Sequence, residues 1–339
     1  MNMNEIALAS PGATQELIVP EGANANNDVA HGPLTAHSIV NHGTLRLVSS
    51  NPELDTAELG ADSLINPGVI ESALPNLKLR TGLLKAREGR FAASRHIEVE
   101  SGDALRISGG TFQSEILQLT AAGKAEIHAD RIDAKVHVKA CGLAIGVRGG
   151  DLHVAEQDLI GDPLYYNGGG SLNITVPATQ GDDLSCFATG DITIAGTIDT
   201  RGGDENHYGR VTIQSGCASV SYNDVHYDGM FDCHDCSLPQ PGLEVIFSDP
   251  PAGTVTLGNV LAKGFSVVGG VINVGGTITV DNENIPAELN LTGGCQLFGS
   301  TSVTIGGLVT VISRHQNGDV FKGQLTVSAG ENITVADVD

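Results

Sequence analysis

HIEVESGDALRISGGTFQSEILQLTAAGKAEIHA, residues 96–129, is the stretch on which the fold turns. It holds short runs in which apolar and polar residues alternate, the pattern of a strand with one face inside. Ile97, Ile107, Leu117 and Ile127 mark these runs, each ten positions after the last. Further beats fall at Val136, Ile145 and Val154. Downstream the rhythm doubles: SLNITV begins at Ser171, DITIAG at Asp191 and VTIQSG at Val211, equal steps along the chain. Two strands of about six residues, with two turns, fill that step, which is one coil of a parallel β-helix.

The final third continues the pattern with TVTLG, FSVVGG, VINVGG, TITV, SVTIGG and NITVA. Glycine pairs at 269–270, 275–276 and 306–307 stand where such a chain must turn. An antiparallel sandwich also has short strands and turns, but its strands need not keep a fixed period over so many units. No helix-length amphipathic pattern separates the strands, which argues against an α/β fold. Residues 1–94 are less regular. PLTAHSIVNHGTLRLVSS reads as two strands around a His-Gly turn, and the segment as a whole reads as an N-terminal cap or as divergent first coils.

Composition agrees with a solenoid. The 339 residues include 44 glycines, 13 prolines and no tryptophan, and aromatics make up only 4%. Such a chain fills a narrow interior with Val, Ile, Leu and Ala instead of large rings. Asp and Glu number 40 against 18 Lys and Arg, a formal net charge of −22. That surface repels phosphate backbones and anionic membranes, so nucleic acid is not an expected partner. No run of about 18 apolar residues exists, so membrane insertion by a helix is not expected. The first residues, MNMNEIALASPGATQELIVPEG, lack the basic and apolar regions of a secretory signal, leaving another export route or a processed form.

The segments DITIAGTIDTRGGDENHYGRVTIQSG (191–216) and QLTVSAGENITVADVD (324–339) resemble the repeats of filamentous haemagglutinin-type bacterial adhesins. The likeness is one of repeat style and covers about two-thirds of the chain. It implies a right-handed parallel β-helix, exposed on or released from a cell surface and acting in adhesion. The reading is therefore all-β: a right-handed parallel β-helix over 95–339, behind a less regular N-terminal cap at 1–94.

One segment breaks the rhythm. SYNDVHYDGMFDCHDCSLPQPG, residues 221–242, reads as a Cys-rich loop inserted between coils. Two readings of its chemistry stay open. Cys233 and Cys236, with His226 and His234, supply thiolate and imidazole donors of the kind zinc prefers. Alternatively Cys233 and Cys236 pin the loop through disulfides to Cys186 or Cys217, as an even count of six cysteines permits. The acidic turn GGDENHYG offers Asp204 and Glu205 as calcium ligands, although one turn supplies few oxygens. Thr254 with Thr256, and Thr277 with Thr279, form Thr-x-Thr pairs like those of ice-binding solenoids, but the pattern is not sustained coil after coil on one side, so ice binding is not expected.

No catalytic constellation stands out. The expected function is an extracellular or cell-surface structural or adhesive protein, not an enzyme. Expected partners are other copies stacked head-to-tail, making a filament, or a host or matrix surface. The alternative is a β-helix that binds or degrades polysaccharide. A sugar groove normally carries aromatic platforms and paired carboxylates, and this chain has eight Phe, five Tyr and no Trp to build them. The chain stops in mid-rhythm at GQLTVSAGENITVADVD, so either a longer solenoid or stacking of the last coil is expected.

Overall fold

A computed structural model describes residues 5–7, 12–159, 163–175, 183–201, 209–222, 243–246, 248, 250–281, 294–312 and 324–338. Among them strands dominate and no α-helix occurs. The one helical turn, Val29–His31, is a 3-10 turn capped by Asp28, whose side chain accepts from the Ala30 N–H at 2.9 Å. Two compact units are distinguished: residues 1–141 with 145–150, and residues 142–144 with 151–339.

In the first unit every pairing between described strands is parallel, and each coil contributes to three ladders. His96 pairs with Ile116, Leu105 with Ala125 and Thr111 with Arg131, each two beats further along the chain. The beats now have a physical meaning. Ile97 stacks on Leu117, and Ile107 on Ile127. Successive beats are therefore neighbouring faces of one coil, and every second beat lies one coil further along.

A coil holds three strand segments where the periodicity predicted two. The third, around Thr111–Gln113, is short, and it lies within one continuous strand, Leu105–Ala121. Gly109 and Gly110, at φ 75° and 90°, bend that strand between faces. The interior is a set of stacked columns: Ala57, Leu77, Ile97, Leu117 and Val136 in one, Ile70, Phe91, Phe112 and Ile132 in another. All but Ile132 are at most 1% exposed, and Phe91 stacks on Phe112 with ring centroids 5.0 Å apart.

The ladder crosses position 94 without a break, since Asn76 pairs with His96 and Phe91 with Phe112. Residues 12–92 thus pair as coils that diverge in length, the second of the two readings of this segment. Their irregularity is one of length: Leu34 pairs with Leu59 and Thr44 with Val69, a longer step than the two beats that separate Ile97 from Leu117. Buried Asn41 and Asn66 join two of these longer coils, the Asn41 amide donating to Asn66 Oδ1 at 2.6 Å.

The second unit is also a three-ladder parallel coil, with one antiparallel exception. Leu172 pairs with Ile192, in keeping with the doubled rhythm. The third beat of that register does not follow. Val211 pairs instead with Leu184, and Ile192 finds its next partner far along the chain, in Val255. The intervening coil is lengthened by an excursion between Gln214 and Thr254. Beyond it the steps are unequal. The step from Thr254 to Val271 is short, and those from Val271 to Ser302 and from Ser302 to Asn332 are nearly twice as long.

Candidate functional site

The excursion leaves the coil through a hairpin. Ser219–Tyr222 runs antiparallel to Leu243–Ile246, with Val220 opposite Val245. Ala218 N–H donates to the Ile246 carbonyl at 2.8 Å and closes the base of the stem. A small apolar cluster seats this stem: buried Tyr166, Cys217 and Val220, with Phe187, Leu243 and Val245 packed against them. Tyr166 and Phe187 are neighbours on adjacent coils, so two rungs of the ladder form the socket. The apolar residues of a two-stranded stem cannot stabilise it alone in water, and the socket supplies the missing partner.

The stem flanks the segment read above as a Cys-rich loop. His226, Cys233, His234 and Cys236, which the zinc and disulfide readings invoke, lie outside the described residues, as do Asp204 and Glu205 of the calcium reading. Among the described residues no group of three or more His, Cys, Asp or Glu side chains is gathered as for a metal ion.

Cys186 and Cys217 are free thiols, which corrects their expected disulfide role. Alternation explains Cys186. It is an inward position, fully buried between Tyr165 and Ile213 on the flanking coils. Burial pushes its thiol well up, which favours the neutral thiol over the thiolate. Cys217 lies beneath the hairpin, and burial raises its pKa to about 11. Its Sγ donates to the Gln214 carbonyl at 3.7 Å. Cys141 is disulfide-bonded.

In the first unit, outward positions stack as regularly as inward ones. Glu58, Lys78, Glu98 and Gln118 form one outward column, and Arg80, Glu100 and Thr120 its neighbour. Charge alternates along the stack. Lys78 Nζ lies 3.0 Å from Glu98 and 2.8 Å from Glu100, and Arg80 Nε lies 2.9 Å from Glu58. Burial works to lower the Lys78 pKa, but bonds to Glu100 and Glu98 outweigh it and hold the ammonium above its ordinary value. The Lys78 bond in turn holds Glu100 below the usual carboxylate range. These partly shielded pairs brace successive coils against slippage, although each exposed pair stabilises by no more than about 1 kcal/mol.

A polar groove of about 570 Å³ runs across the coils of the same unit, lined by Glu71, Arg90, Gln113, Ser114, Glu115 and Asp133 among others. It was not legible beforehand, because these residues sit in separate coils and come together only when the coils stack. The Arg90 guanidinium donates to Gln113 Oε1, and Arg131 pairs with Asp133 at 2.6 Å. Among the described residues no aromatic ring lines it.

Coil, socket and hairpin together define the class: a parallel β-helix bearing an antiparallel arm. No protein-family model matches the chain, no curated protein matches it, and no solved structure matches it.

Proposed function

We propose that this protein is a structural and adhesive β-helix of the cell surface or extracellular space, in which a regular stack of coils displays the 219–246 arm to a host or matrix surface. The observation that carries this reading is the hairpin stem. It departs from the parallel coil and is anchored in its own apolar socket of Tyr166, Cys217, Val220, Phe187, Leu243 and Val245. A parallel stack of coils with an antiparallel stem seated on it is an arrangement for recognition, since segments held on rigid frames commonly carry binding. The haemagglutinin-type repeat style of residues 191–216 supports the same reading. Right-handed coiling, the hand that parallel crossovers adopt, belongs to the same proposal.

A second reading, polysaccharide binding, draws support from the groove between Glu71 and Asp133. Hydroxyl-rich chains suit its mixed donors and acceptors, but the lack of an aromatic wall among its described residues leaves no stacking surface for a sugar ring.

One binding experiment separates the two. Residues 223–242 are replaced by Asn-Gly, which closes a two-residue hairpin. In the same assay Arg90→Glu reverses charge in the groove. Binding to whole cells and to immobilised matrix glycoproteins is expected to vanish in the loop replacement and to persist in Arg90→Glu, with both variants keeping a β-sheet circular dichroism spectrum. Loss only in Arg90→Glu transfers the function to the groove. Binding that survives both changes overturns both readings.

A further inference from the structure

The second unit carries a lattice of short hydroxyl and amide side chains that the sequence conceals. Asn173 pairs with Thr193, Thr193 with Thr256, Thr256 with Asn273, Asn273 with Thr304 and Thr304 with Thr334. These positions alternate with buried ones such as Ile192, Val255, Ile272 and Val303, so all of them face outward. Two positions away along each strand a parallel column runs from Thr254 through Val271 and Ser302 to Asn332. Through residues 254–257, 271–274, 302–305 and 332–335 the register is unshifted, and the columns are straight.

The result is a two-dimensional array. Neighbouring strands place rungs about 4.8 Å apart, and alternate residues along a strand are about 6.6 Å apart. Each row reads Thr-x-Thr, Val-x-Asn, Ser-x-Thr or Asn-x-Thr. Thr256, Thr304, Asn332 and Thr334 are exposed, and their side chains make no hydrogen bond among the described residues. Threonine is stiff about χ1, so its hydroxyl and methyl hold fixed positions, and little entropy is lost on binding a fixed partner.

Charge narrows the partner. Residues 151–339 contain 23 Asp and Glu against 5 Lys and Arg, yet neither column from Thr254 onward holds a charged side chain. In so acidic a unit, an uncharged, doubly periodic face matches an uncharged, periodic partner. The columns contain no aromatic platform, which disfavours sugar rings. An ice surface is a neutral lattice whose oxygens both donate and accept hydrogen bonds, with repeats of the order of these two spacings.

We propose that the face built on Thr256, Asn273, Thr304 and Thr334, bounded by Asp191, whose Oδ1 accepts from the Thr254 N–H at 2.7 Å, binds ice. This goes beyond the adhesive reading and does not depend on it. The steps along the chain are unequal, longest from Thr193 to Thr256 and shortest from Thr256 to Asn273, and they hide the columns from any fixed-period reading.

The test measures ice-crystal growth and ice recrystallisation in the purified full-length protein. Two variants place a mobile charge on the lattice, Thr256→Lys and Thr304→Lys. A control, Thr310→Lys, lies on a different ladder, where Thr310 pairs with Thr279. Thermal melts confirm that each variant is folded. The expected result is faceted crystals and inhibited recrystallisation with the parent and with Thr310→Lys, and loss of both effects in the two lattice variants. Parent protein that leaves ice growth unchanged overturns the proposal, even if it is retained on insoluble neutral polysaccharide. Equal activity in the lattice variants and the parent overturns the assignment of the face.

Discussion

His96 stands in the outward column Asn76–His96–Ile116, with Nε2 buried and without a hydrogen-bond partner among the described residues. Burial holds its pKa below the ordinary 6.5, against the pull of Glu98 and with the push of His137 and Lys78. The fold therefore favours the neutral ring. As pH falls below the ordinary imidazole value, the unfolded chain takes up the proton first, and the folded state loses stability until its own, lower pKa is passed. Thermal melts from about pH 7 to about pH 5.5 enter this window from its upper end. The parent is expected to lose more melting temperature across it than His96→Gln does. An equal loss in the two proteins would show that His96 is not the group responsible.

Among elements, the turns carry as much of the specification as the strands. Gly110 bends the strand Leu105–Ala121 at φ 90°, its N–H donating to Asp130 Oδ2 at 2.8 Å, and a Cβ there would lie 2.9 Å from Ala86 Cβ on the preceding coil. Gly22 also has positive φ, 73°, but a Cβ there would meet nothing within 4 Å. Both positions favour glycine for backbone reasons. Comparison of Gly110→Ala with Gly22→Ala therefore isolates the contact between coils. Each is expected to lower stability by about 1–3 kcal/mol through strain at positive φ, with the larger loss at Gly110, as measured by urea titration. A larger loss at Gly22 would mean that coil spacing at this corner is slack. The hairpin at 219–246 is the other informative element. The break in rhythm was legible, but the antiparallel stem was not, because Ser219–Tyr222 has no regular partner until Leu243–Ile246 folds back on it.

For the molecule as a whole, parallel stacking sets both the core and its edges. Ile333 continues the inward column of Val255, Ile272 and Val303, yet it is 50% exposed, and Val338 is 54% exposed on the same strand, Asn332–Val338. A parallel strand whose apolar inward side chains are exposed is a template for another strand. If a second copy adds to it, light scattering will rise with protein concentration, and Ile333→Lys will abolish the rise by placing a charge in the interior of the joint. A concentration-independent monomer would overturn self-association through this strand. The sequence by itself determined the strand class, the parallel coil, the repeat through Ile97, Ile107, Leu117 and Ile127, and the place where the rhythm breaks. Each of these follows from alternation and turn chemistry, which act within a few residues. Only the tertiary structure decided that a coil has three faces, that residues 12–92 pair as coils, that Cys186 points inward as a free thiol, and that Thr256, Asn273, Thr304 and Thr334 share a column. Those facts depend on which strand lies next to which. Coils of unequal length change the distance along the chain between neighbours but leave their roughly 4.8 Å separation in space unchanged.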